Sequence, residues 1–117
     1  MIGQTDFTLA RDDAKATVLK QPAAIARAGK QLLVADAGHN RVLVWNTLPT
    51  ANGAPADVVL GQGTFTLVAA NDDTQTGTTG TAPTARTMAY PSGVAVAGDA
   101  LVVSDTLNRR FLVFRSH

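Results

Sequence analysis

The chain has 117 residues, enough for one small domain or for a few repeat units. Hydrophobic residues make up 45% and charged residues 16%, a composition that folds and differs from that of a disordered tail. Ten Lys and Arg against nine Asp give a net charge of +1, too balanced for a non-specific nucleic-acid or polybasic membrane binder. Because no apolar run reaches about eighteen residues and no basic-then-apolar leader opens the chain, neither a membrane span nor an intact signal peptide is expected.

The residue types favour strands over helices. Cysteine is absent, which excludes disulfides, Cys-ligated zinc and a thiol nucleophile. Glu is also absent and there are only three Lys, against fifteen Thr and twelve Val. Because Glu and Lys are strong helix formers and β-branched residues favour strands, the composition predicts an all-β chain.

An internal repeat recurs at a constant offset of 69 residues. The segment 22–45 reads PAAIARAGKQLLVADAGHNRVLVW and aligns without a gap with the segment 91–114, PSGVAVAGDALVVSDTLNRRFLVF. The identities include Asp36 with Asp105. Repetition of this kind indicates stacked copies of one supersecondary unit.

A second echo has an offset of 58 and aligns MIGQTDFTL at 1–9 with VLGQGTFTL at 59–67. The two offsets differ by 69 − 58 = 11, so the second copy contains an insertion of eleven residues between Phe65 and Pro91. The insertion falls in NDDTQTGTTGTAPTART, at 71–87, which has no hydrophobic period. It is predicted to be part of an exposed loop.

The chain is therefore predicted to be two modules, 1–58 and 59–117. Short apolar runs between turn signals give the strands. They are 24–28, 32–35, 41–46 and 56–60 for the first blade, whose core is 22–46, and 93–97, 101–104 and 110–114 for the second, whose core is 91–115. Gly98 and Asp99 are expected to form a hairpin turn, and 105–109 and 67–90 are expected to be loops. Four consecutive antiparallel strands form a meander, the blade of a β-propeller.

The order Pro-x-Gly-Val-Ala, then Leu-x-Val-x-Asp-x-x-Asn-x-Arg-Val-x-Val-Phe, resembles the NHL repeat. It stands here as PSGVAVAGDALVVSDTLNRRFLVF and more loosely as PAAIARAGKQLLVADAGHNRVLVW, with Ala24, His39 and Phe111 as departures from the usual Gly, Asn and Val. The flanking VLGQGTFT is similar to a phrase of bacterial NHL proteins. The resemblance implies propeller blades in a family that includes protein binders, RNA binders and a few enzymes.

Two blades are fewer than a propeller requires, since closure takes about four to eight. The segment 1–4 matches a fourth strand, and the second copy contains three predicted strands. In one interpretation three chains form a homotrimer of six blades, the number usual for NHL propellers, and each 1–4 strand completes the last blade of a neighbour. In the other, the remaining blades belong to a longer chain.

Two Asp–Arg pairs are the residues most like a functional signature. Asp36 with Arg41, and Asp105 with Arg110, place a carboxylate at the end of one strand and a guanidinium at the start of the next. Such a pair faces across a tight loop and fixes the turn. Because the pair occurs in both copies, its predicted role is structural and not catalytic.

The imidazoles and the acidic pairs are the residues of this chain that could hold a metal ion. Propeller lyases and lactonases that resemble this architecture collect ligands around the axis, but His39 occupies the slot of Asn108 and is predicted to be a polar turn residue. The other imidazole, His117, is terminal. The acidic pairs at 12–13 and 72–73 lack the alternating spacing of a calcium loop. No metal, cofactor or catalytic residue is predicted.

The loop at 70–87 is expected to share one face with both Asp–Arg loops, since such connections lie on one side of a propeller. The leading hypothesis is a non-enzymatic binding or scaffold module whose protein or small-molecule partner meets this loop-bearing face. The candidate binding residues are Asp36, His39, Asn40, Arg41, Asp72, Asp73, Asp105, Asn108 and Arg109.

Two alternatives stay open: a metal-dependent enzyme of lyase or lactonase type with an axial site, and a structural subunit of rings or filaments. Nucleic-acid binding is not expected, because the aromatic and basic residues of 110–115 are mixed on both faces of one strand. The Thr-rich, Lys-poor composition is compatible with a secreted or periplasmic bacterial protein.

Overall fold

The computed structural model describes residues 1–4, 13–80 and 82–115. Within them the protein is all-β, with seven strands in two antiparallel sheets and no α-helix. This confirms the class predicted from the composition. The same residues contain no helix of the length and apolarity needed to cross a membrane. The interpretations of Asp12 and His117, and of the echo at 5–9, concern residues outside those described.

The two sheets follow the order of the chain. Sheet 1 has the strand order β1-β2-β3-β4, and sheet 2 has the order β5-β6-β7. The strands are β1 Pro22–Ala28, β2 Gln31–Asp36, β3 Arg41–Trp45, β4 Val58–Leu60, β5 Pro91–Ala97, β6 Ala100–Asp105 and β7 Arg110–Arg115. Every strand predicted for the two blade cores and 56–60 is present, whereas the segment 1–4, predicted to be a strand in a neighbouring blade, belongs to neither sheet. The loops after β2 and β6 each contain a short 3₁₀ helix, Ala37–His39 and Thr106–Asn108.

Strand β4 begins at Val58 and is shorter than the predicted 56–60. The reason is a competing hydrogen bond, because the Ala56 amide donates to the Ala16 carbonyl at 2.9 Å. The linker before β1 therefore takes this donor, and the ladder with β3 is confined to the three residues that follow Asp57.

Both hairpins use the predicted two-residue turn. Ala97 pairs with Ala100 across Gly98 and Asp99, and the equivalent turn in sheet 1 begins at Gly29. The two glycines have φ of 60° and 58°, in the left-handed region where a side chain is disfavoured. Glycine at the first turn position thus fixes the register of each hairpin.

The sheets pack face to face. Val42 of β3 lies in one buried cluster with Met88 and Val103, and Leu60 of β4 packs on the same cluster. Alternation along β3 sends its next residue to the opposite face of sheet 1. There Leu43 lies in a second buried cluster, with members Val34, Leu43, Trp45 and Ala56.

Strands β3 and β7 are equivalent in sequence but differ in burial. All five residues of β3 are buried, because both faces of sheet 1 are covered and β4 pairs with its edge. Along β7 burial alternates, and Phe111 and Val113 are 72% and 55% exposed. Only one face of sheet 2 is therefore covered within the described part of the chain.

The structural repeat extends upstream of the sequence repeat. The Val18 amide donates to the Lys15 carbonyl at 3.4 Å, and the Thr87 amide donates to the Thr84 carbonyl at 3.4 Å, again 69 residues apart. The eleven extra residues therefore lie before Thr84, a narrower interval than the predicted one ending at Pro91.

We expect Leu43→Ala to lower the free energy of unfolding by about 3 kcal/mol, because Leu43 is fully buried between sheet and linker. The matched control is Leu107→Ala, which truncates a leucine that is 67% exposed and is expected to change stability by less than about 0.5 kcal/mol. Urea unfolding measures both. Equal effects would contradict the two-sided burial of sheet 1.

Candidate functional site

The first Asp–Arg pair joins the end of β2 to the start of β3. Asp36 and Arg41 are partners in the ladder between these strands. Arg41 Nε donates to Asp36 Oδ2 at 2.7 Å, and both side chains are completely buried. A buried ion pair needs further hydrogen bonds to offset desolvation, so the remaining atoms of the two groups matter.

Those remaining atoms bind backbone groups of two other segments. Asp36 Oδ1 accepts from the Lys20 amide at 2.6 Å. Arg41 Nη2 donates to the carbonyls of Lys15 and Val18 at 2.8 and 3.0 Å, and Nη1 donates to the Phe65 carbonyl at 2.6 Å. The pair therefore ties the linker before β1 and the segment after β4 to the turn between β2 and β3.

The second copy repeats this network at the same offsets. Arg110 Nε donates to Asp105 Oδ2 at 2.7 Å, and the Ala89 amide donates to Oδ1 at 2.7 Å. Arg110 Nη2 donates to the carbonyls of Thr84 and Thr87 at 2.7 and 2.9 Å. Two occurrences of one network indicate a structural latch, the role expected from the repeated sequence.

His39 and Asn108 occupy the same place in the two latches. His39 Nδ1 lies 2.9 Å from Asp36 Oδ2, and Asn108 Nδ2 donates to Asp105 Oδ2 at 2.8 Å. Each contributes one side-chain nitrogen to the carboxylate, and His39 is 2% exposed. Among residues 1–4, 13–80 and 82–115 no group of three or more His, Asp or Glu side chains is arranged to hold a metal ion.

Most of the candidate binding residues are internal. The buried ones are Asp36, His39, Arg41, Asp72 and Asp105. Asn40, Asp73 and Asn108 are half-buried, and Arg109 is exposed. The buried residues shape the loop-bearing face from beneath, while the half-buried and exposed ones reach its surface.

The segment 67–90, which contains the insertion, contacts both turns. Asn40, after the first 3₁₀ helix, donates through Nδ2 to the Val68 carbonyl at 2.7 Å. Asn71 and Asn108 exchange amide hydrogen bonds at 2.9 and 2.7 Å. The loop is thus attached to the β2–β3 turn of sheet 1 and to the β6–β7 turn of sheet 2.

Two carboxylates organise the loop itself. Asp72 accepts from the amides of Thr76 and Gly77 at 3.1 and 2.8 Å, as in a capped turn. Asp73 accepts from Arg86 Nε at 2.6 Å and from the Thr84 hydroxyl at 2.9 Å. The hydrogen bond from the Arg86 guanidinium, with that from Thr84, holds the pKa of Asp73 below its ordinary value of 3.8.

A polar cavity of about 200 Å³ opens beside these carboxylates. Its wall includes Gln62, Gln75 and Arg86, which the sequence did not single out. Gln62 is 7% exposed and donates to the carbonyls of Asn40 and Ala69, at 3.2 and 2.9 Å, while Gln75 Nε2 lies 3.3 Å from Gln62 Oε1. The Gly-Gln dipeptide shared by the two echoes, at 3–4 and 61–62, was the available signal for Gln62.

A larger apolar cleft of about 520 Å³ separates the sheets at the opposite, hairpin end. Leu33 and Val44 line it from sheet 1, and Leu101 and Phe114 line it from sheet 2. No sequence motif marks this cleft, because it arises from the splay between two sheets and not from any one segment.

No protein-family model matches the chain, and no curated protein matches it at a significant level. The fold and the site define an all-β protein with two related antiparallel sheets and two Asp–Arg latches, the first fully buried and the second partly buried. The functional argument therefore starts from these features and from the loop attached to them.

We expect Asp105→Ala to lower the free energy of unfolding by about 3–5 kcal/mol, because it leaves the Arg110 guanidinium without its carboxylate. Asp99→Ala removes the same charge from an exposed pair with Arg115 at 3.5 Å and is expected to cost less than about 1 kcal/mol. Thermal and urea unfolding compare the two. Similar losses for both variants would rule out the latch as a source of stability.

The equivalence of His39 and Asn108 gives a second test. His39→Asn keeps a side-chain N–H for Asp36, whereas His39→Ala removes it from a buried site. We expect the asparagine variant to be more stable than the alanine variant by about 1 kcal/mol. An alanine variant as stable as the asparagine variant, measured by urea unfolding, would show that the bond contributes nothing.

Proposed function

We propose that this chain is a pair of β-propeller blades of the NHL-repeat type and that it acts as a non-enzymatic binding or scaffold module. Three features support the assignment. Each sheet is an antiparallel meander in chain order, the sheets pack face to face, and the same latch recurs with an offset of 69 residues. Stacked, similar sheets of this kind are how propellers bury their apolar faces.

The loop-bearing face is the proposed binding surface. The observation that carries this proposal is the attachment of the segment 67–90, which contains the insertion, to both turns, at Val68 through Asn40 and at Asn71 through Asn108. A loop fixed at both sheets holds its side chains in place before a ligand arrives, which reduces the entropy lost on binding. Rigid scaffolds that present such loops are a common arrangement for recognition.

The chemistry of the polar cavity defines the class of ligand. Asp73 and Arg86 provide opposite charges, and Gln62 and Gln75 provide carboxamides. This set suits a small polar molecule, or a polar side chain of a partner, that both donates and accepts hydrogen bonds. Because the pKa of Asp73 is lowered, its contribution to the loop is present above the ordinary carboxyl pKa and is lost as the pH falls through the lowered value.

The proposal includes a scaffold role, in which copies assemble head to tail into a ring of six blades. The bare face of sheet 2 supports this part, since Phe111 and Val113 are exposed there. The enzyme alternative has no comparable support, and we do not propose it.

The binding proposal can be tested by titrating a library of small carboxylates, amines and amides into ¹⁵N-labelled protein. When fragments bind, we expect the largest chemical-shift changes of the protein's amide groups at Gln62, Gly63, Gln75 and Arg86. Arg86→Ala is expected to weaken binding about tenfold, because it removes the guanidinium and releases Asp73.

The matched control is Arg115→Ala, which removes another exposed arginine paired with an aspartate, at the far end of the strands. We expect it to leave fragment binding unchanged. Shifts confined to the apolar cleft around Phe114, or equal effects of the two arginine variants, would contradict a binding surface at the loop.

A further inference from the structure

We infer that the outer face and free edge of β7 form a docking site for a second copy of this chain, whose residues 1–4 add to sheet 2 as a fourth strand. The inference rests on the proposed function in one respect, that the two sheets are successive blades of one architecture. Four separate observations lead to it: an exposed face, an open edge, a pre-positioned segment and a matching groove.

The exposed face is the repeat of a face that the chain itself buries. Phe111 and Val113 are equivalent, at an offset of 69, to Val42 and Val44. The latter two are 0% and 6% exposed, because sheet 2 lies on them. The equivalent side chains of β7 are 72% and 55% exposed. The intramolecular interface thus shows what covers a surface of this kind, namely another sheet of the same repeat.

The outer edge of β7 has no hydrogen-bonded neighbour strand among the described residues, whereas its equivalent β3 does. In sheet 1, β3 pairs with β4 through Val42 with Leu60 and Leu43 with Val59. Within residues 1–4, 13–80 and 82–115, β7 has no strand beyond it. An unpaired edge beside exposed apolar side chains is a template for one more strand.

The segment that would supply this strand is present in each copy. Residues 1–4 repeat 59–62, which begin within β4, at an offset of 58. They lie outside both sheets. Two backbone contacts hold them, because Leu19 N donates to the Gly3 carbonyl at 3.1 Å and Gly53 N donates to the Met1 carbonyl at 2.9 Å.

The segment already has the position that docking requires. Ile2 packs on the buried cluster that contains Leu43, on the face of sheet 1 away from sheet 2. Its equivalent Leu60 packs in the same way on the cluster of Val42 between the two sheets. The glycines that follow both have positive φ, 95° at Gly3 and 91° at Gly61. A side chain at Gly3 would meet Leu19, and one at Gly61 would meet Met88, which is equivalent to Leu19 at an offset of 69.

A groove on the outer face of sheet 1 matches the side chain that would enter it. An apolar cavity of about 320 Å³ opens between Ile2, Leu19, Ile25 and Val34. Leu19, Ile25 and Val34 are the equivalents of Met88, Val94 and Val103, the cluster that receives Val42 within the chain. The equivalent of Val42 in a neighbouring copy is Phe111, which would therefore occupy this groove.

The equivalences fix the register as well as the surfaces. Because Val42 pairs with Leu60, Phe111 of one copy should stand opposite Ile2 of the next. Because Leu43 pairs with Val59, Leu112 should stand opposite Met1. The two contributing surfaces lie on opposite sides of the molecule, so the contact is head to tail and cannot form within one chain.

Light scattering tests the docking directly. We expect the unchanged protein to have a mass of two or more times 12.1 kDa, with three copies for a six-blade ring. Phe111→Asp should reduce the mass to that of one chain, because a buried, unpaired carboxylate would have to enter the apolar groove. The matched control Leu107→Asp places the same charge at a residue that is 67% exposed and outside the predicted contact, and it should retain the mass of the unchanged protein.

Cross-linking tests the register, and the absence of natural cysteine makes the result unambiguous. After mild oxidation and denaturation without reductant, Ile2→Cys with Phe111→Cys should give covalent dimers and larger species. Ile2→Cys with Leu107→Cys should run at the mass of one chain, because its cysteines do not meet across the contact. Cross-linked species in the first variant alone support docking, whether they stop at three copies or continue.

A single-chain mass for the unchanged protein at all concentrations would overturn the inference and leave the β7 face to a different partner. Equal masses for Phe111→Asp and Leu107→Asp, or equal cross-linking in both cysteine pairs, would overturn it too. The binding proposal fails separately, since fragment shifts at Gln62 and Arg86 can be measured on the Phe111→Asp protein whatever its mass.

Discussion

The buried contact between Asp36 and Arg41 is the constraint on which the loop architecture depends. Removing two charges from water is costly unless every polar atom finds a partner. Here the carboxylate also accepts from the Lys20 amide, and the guanidinium also reaches the carbonyls of Lys15, Val18 and Phe65. The same groups that satisfy the charges are backbone groups of irregular segments. The hydrogen bonds that offset the desolvation of the pair therefore also hold two linkers in place. Asp105 and Arg110 make the equivalent bonds in the second copy.

The residue that follows the 3₁₀ helix differs between the two latches, although its backbone conformation is the same. Asn40 and Arg109 follow the two 3₁₀ helices and both adopt the left-handed conformation, with φ of 54° and 56°. Asn40 uses its side chain to connect the sheets, since its Oδ1 accepts from the Tyr90 amide at 2.8 Å at the start of the second repeat core. Arg109 is exposed instead. The same turn geometry thus places a side chain that contacts the next sheet in the first copy, Asn40, and an exposed guanidinium in the second, Arg109.

The sequence was sufficient to locate the strands but not to predict which of their faces are buried. Turn glycines and apolar runs located all seven strands, because those signals are local. RVLVW and RFLVF look alike, yet β3 is buried throughout and β7 is not, since burial depends on which sheet lies opposite. The latch was visible because it repeats. The polar cavity was not, because Gln75 and Arg86 lie in or beside the unrepeated insertion and meet Gln62 only after the loop folds back.

If copies dock head to tail, the contact between sheet 1 and sheet 2 within each chain determines whether a ring or a filament forms. If copies meet through the same contacts that join sheet 1 to sheet 2, the rotation between copies is built from the rotation between those sheets. A heterologous contact closes when repeated rotation returns to the start without a net rise, and it extends indefinitely otherwise. In the proposed assembly the residues at the internal contact, Val42, Met88 and Val103, would therefore determine closure, although none of them would lie on the surface between copies. At the proposed contact between copies Phe111 takes the place of Val42, and the groove that would receive it has Leu19 and Ile25 in place of Met88 and Val94. A difference between the internal and external rotations would therefore arise where the larger ring enters this altered groove.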